Sequence, residues 1–460
     1  MSRISAGSVG ICRLAQKRRS WNVKRSLTWI VCGWLSGCAL VGMARASDIE
    51  RKPIEYSKRQ GSNAITELQQ RLREGSVKLE YQPKVGYLPS LLKELKVPVH
   101  SQTLVFSKTS LQRNKIAPKT PRALYFNDDI YIGYCRHGDV LEISVADPEL
   151  GTEFYTLSQD QAKPDLVRHT ESCLVCHGAS ATHGLPGHLI RSVYSDDDGT
   201  PLLSLGSHRV DTTTPWEKRF GGWYISGKHG DRSHLGNLIV RNAKTPEEID
   251  NSQGQNVTDL SERFDSSPYL SPHSDLVAHL VLTHQAHVHN LIAKASIETQ
   301  SALYEEKELN RELGEEGRKW ESTRRRIRSH ASDLVKAIFF CDEAELPAEL
   351  SGCSEFVKEF PKLGIKDSKG RSLKEIQASG RLMKYPCSYL IYTKSFEQLP
   401  KEAKQEVFKQ MKAILKTGEY RSEDSPNGYS GSMIEAPQLT KEDRLAIEEI
   451  LVDTLPGWKE

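Results

Sequence analysis

Apolar residues recur with two different periods along this chain, and the change falls near residue 270. Before it they come as short β-like runs: Tyr131-Ile132-Gly133-Tyr134, Val140 to Val145 and Phe154 to Leu157, with turns at Asp147-Pro148 and Glu149-Leu150-Gly151. Leu189 to Tyr194 and Leu202 to Leu205 predict a further strand pair around Asp196-Asp197-Asp198-Gly199. Consecutive carboxylates do not alternate as calcium ligands do, so this loop reads as a solvated hairpin turn. A short helix is predicted near Ile65 to Leu72, and the polar run from Asp160 to Glu171 reads as helical. Residues 211–237 are dense in Gly, Trp and His, among them Trp216, Gly221-Gly222-Trp223-Tyr224, His229-Gly230 and His234. Glycine at that density lets the backbone approach something bulky, either a cofactor face or an aromatic cluster above tight loops.

Beyond residue 270 the period is helical. Ser271-Pro272 supplies an N-cap with proline at the first helical position. Leu276, Leu280, His284, Val288, Leu291 and Ala295 then form one apolar stripe with a histidine set in it. The helix is expected to run on through Gln300 to Arg328, where Arg324-Arg325-Arg326 reads as a solvated face. Leu399-Pro400 opens another helix, with Val407, Phe408, Met411, Ile414 and Leu415 inside and Gly418 at its end. Thr440 caps a last one carrying Leu445, Ile447, Ile450 and Leu451. The expected fold class is α+β: a half with short strands and hairpins, residues 101–270, then a mainly helical C-terminal half, residues 271–460. Residues 47–100 read as a polar lead-in that packs on the body.

The N-terminus changes the setting. Residues 1–25 carry seven Lys/Arg and no acid, Leu27 to Val41 is apolar, and Ala44-Arg45-Ala46 has the small-x-small form of a cleavage site. Residues 1–46 are therefore expected to be an export signal cleaved after Ala46, which places the mature chain in the periplasm or otherwise outside. Leu35-Ser36-Gly37-Cys38 also has the form of a lipobox, which would anchor a lipoprotein at Cys38, but the residues after it stay apolar up to Met43. A third reading is an uncleaved anchor, since about 17 apolar residues can barely span a bilayer. Membrane contact is expected only through the signal or such an anchor. Removing residues 1–46 turns the formal charge from +3 to −5, so nothing indicates nucleic-acid binding.

The stretch with the most specific chemistry is Cys173-Leu174-Val175-Cys176-His177. Two cysteines three positions apart with histidine directly after are the attachment pattern for haem c. Both thiols must reach the vinyl groups on one porphyrin edge, and the next residue is held where its imidazole can ligate iron. Cys173 and Cys176 are thus the expected thioether donors and His177 the proximal iron ligand, for one covalent haem. Zinc on Cys173, Cys176, His183 and His188 is the alternative, but His183 follows Cys176 by seven residues where zinc-finger templates have about 12–15. A dithiol redox pair would need the motif at a strand end in a βαβ unit. Of the remaining mature cysteines, Cys135, Cys341, Cys353 and Cys387, the best disulfide candidates are Cys341 and Cys353, which flank a loop; free and buried is the equal alternative.

What the iron does depends on its sixth ligand. Two strong protein ligands favour electron transfer, while an open position admits peroxide, oxygen or a small nitrogen compound. Mature methionines are few and distant: Met383, Met411 and Met433, of which Met383 is the best candidate. His284 comes first among histidines, because an imidazole on an apolar stripe needs a partner. His287 shares its broad face, while His289 lies roughly 140° round the helix. His289, His229 and His234 are the next candidates. A zinc or copper reading of His284, His287 and His289 lacks a nearby carboxylate or cysteine.

With these segments in view, the chain resembles a family of large exported bacterial proteins with a single c-type haem. The likeness rests on Leu104 to Gln112, Pro121 to Asp128, Cys173 to Gly178, Gly221 to Tyr224 through His234 to Asn237, His284-Gln285 with His289-Asn290, Ser368 to Leu373 and Tyr385 to Tyr392. It implies that His229, His234, His284 and His289 are family positions, and that His183, His188 and His287 are incidental. It supplies no activity. The functional expectation is an exported mono-haem cytochrome that binds haem and transfers electrons to a redox protein or small oxidant. The alternatives are a peroxidase-like haem enzyme and a haem sensor for a small ligand. Both halves are expected to build the haem pocket, with His177 from the first and His284 from the second.

Overall fold

A computed structural model describes residues 48–161, 164–422 and 433–459. The export signal, the lipobox at Cys38 and the cleavage site lie outside the described residues. Strands β1 (Thr103–Val105), β2 (Arg122–Phe126), β3 (Ile130–Tyr134), β4 (Val140–Asp147), β5 (Gly151–Ser158), β6 (Leu166–His169) and the later β9 (Trp223–Tyr224) form one sheet. Its order is β6-β5-β4-β3-β2-β1-β9 and every pair is antiparallel. Alternation sends Tyr125, Ile130, Ile132, Leu141, Ile143, Tyr155 and Leu157 to one face. There they are buried with Ile65 and Leu68 of helix α1 (Ala64–Arg73) and with Leu88 and Leu91 of α2 (Leu88–Glu94). The lead-in is thus the cover of one sheet face, and Asn63 fixes it by capping α1 through the N–H groups of Ile65 and Thr66.

One turn of helix, α3 (Leu174–His177), and the pair β7 (Arg191–Val193) with β8 (Ser207–Arg209) follow the sheet. The second half is helical as expected, around α4 (Leu276–Leu313), α5 (Glu321–Ile338), α6 (Lys401–Thr417) and α7 (Lys441–Thr454). Leu280, Leu291, Leu334, Ile338, Met411, Ile414, Ile447 and Ile450 share one apolar cluster. Helix α4 crosses the turns of the sheet, where Gln285 Nε2 donates to Asn127 O (2.8 Å) and the Ser296 hydroxyl to Pro148 O (2.8 Å). The mixed α and β content agrees with an α+β fold, and the described residues belong to one compact unit. Among them no helix is long and apolar enough to cross a membrane.

Several local expectations are corrected. The run from Asp160 to Glu171 is not helical: Leu166–His169 is edge strand β6, its polar composition reflecting one exposed side. Leu203–Leu205 is a single 3-10 turn, and the strand that pairs with Arg191–Val193 is Ser207–Arg209. The acidic loop between them is a hairpin turn, with Asp196 Oδ1 accepting from the N–H groups of Asp198 and Thr200. The long helix starts at Leu276 under an Asp275 cap, not at Ser271, and stops at Gly314 (φ 68°), so the charged run forms two helices. On α7, Leu445 is 58% exposed while Ile447, Ile450 and Leu451 are buried. Cys341 and Cys353 are not bonded, and each described cysteine is a free thiol.

Asp275 donates its backbone N–H to Gln102 O (3.4 Å) of the first half, and its carboxylate ties the start of α4 to Cys353 and Ser354. Its Oδ1 accepts from Val277 N and Ala278 N, and its Oδ2 from Cys353 N, Ser354 N and the Ser354 hydroxyl. Replacing it with alanine removes an N-cap and strands buried donors, for an expected loss of about 4 kcal/mol. Asp275→Ser, which keeps the cap, should recover about 1 kcal/mol of this in urea-unfolding midpoints.

Candidate functional site

The Cys173-Leu174-Val175-Cys176-His177 motif sits on α3, directly after β6. His177 N donates to Cys173 O (2.9 Å), which closes the turn and puts both thiols and the imidazole on one short element. Leu174 pins the turn by packing against the buried cluster of Ile54, Tyr56, Leu150, Leu185 and Ile297. The opposite edge is open: Val175 is 79% exposed, the Cys176 thiol is exposed and Cys173 is half-buried.

The chain then returns to hold the imidazole. Gly187 N donates to His177 O (2.9 Å), and the His177 ring answers with Nδ1–H to Gly187 O (2.9 Å). A carbonyl can only accept, so the proton is on Nδ1 and Nε2 keeps its lone pair. Nε2 has no hydrogen-bond partner among the described residues. The ring packs on Phe154 at 4.8 Å. Burial lowers the His177 pKa, with the Gly187 bond opposing, so the ring is held neutral as a metal ligand requires. The Gly187–His188 loop is itself clamped by α4: His188 N donates to Asn290 Oδ1 (2.7 Å) and Asn290 Nδ2 to His188 O (2.8 Å).

Beneath this turn the second face of the sheet presents two rows of side chains. Phe126, Tyr131, Ser144, Phe154 and His169 are cross-strand neighbours in one row. Leu124, Gly133, Glu142, Thr156 and Val167 make the next. The first is largely buried; the second is half-open, with Leu124 and Glu142 part-exposed and Val167 41% exposed. Two reachable thiols one turn apart, a neutral imidazole with a free Nε2 and a half-open, partly apolar sheet face fit a covalently held haem.

The other expected ligands lie elsewhere. His284 does not join His177: its Nε2 is bonded to the Ser388 hydroxyl (2.8 Å) and its ring stacks on Phe340 at 4.3 Å, inside the C-terminal cluster. The stripe position chosen from sequence faces the helices, not the sheet. His289, five residues on, faces the sheet, with Nε2 donating to Asp128 O (2.7 Å). His229 and His234 lie 4.5 Å apart in an aromatic cluster with Trp216 and Phe220. That accounts for the glycine-rich segment by tight loops, among them Gly222 (φ 80°), where a side chain would strike Ser107. Met383 and Met411 are buried in the C-terminal cluster and Met433 is 38% exposed. Among the described residues no three of His, Cys, Asp or Glu are gathered to hold a metal ion, so neither zinc set is assembled.

Sequence reasoning missed His188, set aside as incidental. Its ring is 4.2 Å from Tyr131 and 5.8 Å from His289, and it directly follows Gly187, whose carbonyl holds the His177 ring. Phe154, Gly187 and Asn290 were also missed as supports of His177; only Asn290 carried a signal, in the His289-Asn290 pair of the resemblance. No family model, curated protein or solved structure matches this chain.

Proposed function

We propose that this chain is an exported c-type cytochrome with a single haem, bound through Cys173 and Cys176, with His177 as proximal ligand, and that it transfers electrons. The observation that carries this reading is the Nδ1–H bond from His177 to Gly187 O. A ligating histidine is usually oriented in this way, and the bond raises the basicity of the other nitrogen. When bound, the haem supplies a one-electron couple. The chain tethers it at one edge, keeps the His177 proton on Nδ1 and seats the imidazole against Phe154. The signal in residues 1–46 and the resemblance to exported mono-haem proteins belong to the same proposal. The partner is a redox protein or a small oxidant.

A second reading, a haem enzyme or ligand sensor with an open sixth position, is favoured by the packing of His284, His289, His229 and His234. His284 is stacked on Phe340, His229 and His234 pack among Trp216 and Phe220, and His289 packs against Tyr131. The deciding experiment is a visible spectrum of the exported protein, produced with haem c maturation, oxidised and reduced, with and without carbon monoxide. A thioether-haem signature is expected, and its absence would remove the proposal. A reduced spectrum indifferent to carbon monoxide supports electron transfer through two protein ligands; a shift supports the second reading.

A further inference from the structure

We propose that Arg122 binds a carboxylate of the haem and, with Glu142, sets the potential of the iron. The inference rests on the covalent haem proposed above. Arg122 opens β2, and alternation puts its side chain on the face that carries Leu124, Phe126 and Phe154. Its guanidinium lies across Gly133, so closely that a methyl group there would collide with it. Arg122 Nη2 is 2.6 Å from Glu142 Oε2, the next residue in that row.

The two partners are unequally satisfied. Glu142 Oε1 also accepts from the Ser110 hydroxyl (3.1 Å), Gln112 N (3.3 Å) and Gln112 Nε2 (3.2 Å). Arg122 is short of acceptors: its Nε–H is buried without a partner. A guanidinium has five donors in a fixed fork, and a buried donor left unmatched calls for an acceptor such as a bound group or water. Arg168 of β6 also has an Nε–H without a hydrogen-bond partner, but its Nη atoms donate to the carbonyls of Tyr56 and Arg59, whereas the Nη2 of Arg122 has Glu142 alone.

Position selects the ligand. Arg122 and Glu142 lie on the sheet face that carries Phe154, against which the His177 ring packs at 4.8 Å. The face they share is otherwise apolar or neutral, and an anion arriving there with a large flat apolar body is a porphyrin carboxylate. Carboxylate on guanidinium is the geometry that an arginine fork favours. A cation beside the haem favours the ferrous state, whose net charge is lower.

The test is a redox titration of the haem in the parent protein and in R122Q, R122K and E142Q, each first shown to carry thioether haem. Arg122→Gln should lower the reduction equilibrium constant by about tenfold, a fall of about 59 mV for a one-electron couple. Glu142→Gln should move it the other way. Arg122→Lys keeps the charge but loses the fork, and should fall by about threefold, with its spectrum unchanged. A constant within about twofold of the parent in R122Q overturns the inference. If R122Q does not accumulate with haem, R122K decides by the same limit. Absence of thioether haem in the parent would instead overturn the proposed function, so the two failures are separable.

Discussion

Alanine at both Cys173 and Cys176 is expected to abolish the proposed covalent haem attachment and to leave the fold intact. The α3 turn is held by Leu174 in its apolar cluster and by the Gly187 hydrogen bonds, not by either thiol. With Cys176 exposed and Cys173 half-buried, the double substitution should cost less than about 1 kcal/mol. Haem staining of the denatured protein reads the first effect, and the thermal transition of the apo form the second. Acid-stable haem surviving in the double variant would sink the assignment. A single Cys176→Ala should keep one thioether, and its reduced pyridine haemochrome band should move toward that of protohaem, because one vinyl group stays conjugated. His177→Ala is the complementary case. It keeps both thiols but removes the axial nitrogen and opens space beside Phe154. The attached haem should lose its histidine-ligated spectrum and regain it when free imidazole is added. A variant whose spectrum is unchanged would mean that another residue ligates the iron.

The parts of this site that sequence revealed are those fixed by local spacing. Cys173, Cys176 and His177 must share one turn of chain, so their order along the sequence is already their geometry. The antiparallel strands showed themselves by alternation within β4, where half-buried and buried residues exchange at each step. Sequence was silent where a side chain's role depends on what packs across from it. His284 on its apolar stripe looked like an unpaired ligand, yet Ser388, 104 residues on, supplies its partner. His188 carried no pattern, and its place beside Tyr131 exists because Asn290 draws the loop onto α4. The helix start moved from Ser271 to Asp275 for a related reason. Both residues can cap, but only Asp275 also gathers the donors of Cys353 and Ser354. Arg122 reads as an ordinary strand residue until Gly133 and Glu142 are seen beneath and beside it.

Acid should unfold this protein well above the pH at which its carboxylates alone would. His234, His279 and His284 are buried, and burial pushes each imidazole down to about 3; His289 is pushed down to about 4. Their folded pKa values lie below that of a free imidazole, about 6.5. Their contribution to stability is therefore complete above pH 6.5 and is lost as pH falls toward 3, because the unfolded chain takes up four protons that the folded one refuses. Two carboxyls run the other way. Burial pushes Asp129 and Glu343 up to about 7, so the folded protein holds two protons that the unfolded chain releases until about pH 4. Burial lowers His183 and His188 as well, so the unfolded chain carries at least two extra protons near pH 5, or at least about 3 kcal/mol of stability lost per pH unit. Between pH 6 and 4.5 that comes to about 4 kcal/mol, close to the whole stability of a modest domain. Further down the opposition ends and the slope steepens. There, against their own burial, hydrogen bonds from Thr213, Arg371 and Arg381 hold the carboxyls of Asp211, Asp367 and Asp443 below the usual range. Urea midpoints at pH 7, 6 and 5 should fall progressively, with loss of the fold between about pH 4 and 5. His279→Asn should reduce the proton uptake on unfolding at pH 5 by about one, whatever it does to stability at pH 7. A pH-independent midpoint from 6 to 5 would mean that these histidines are already charged in the folded protein, with partners other than the aromatic rings of Phe220, Trp223 and Phe340.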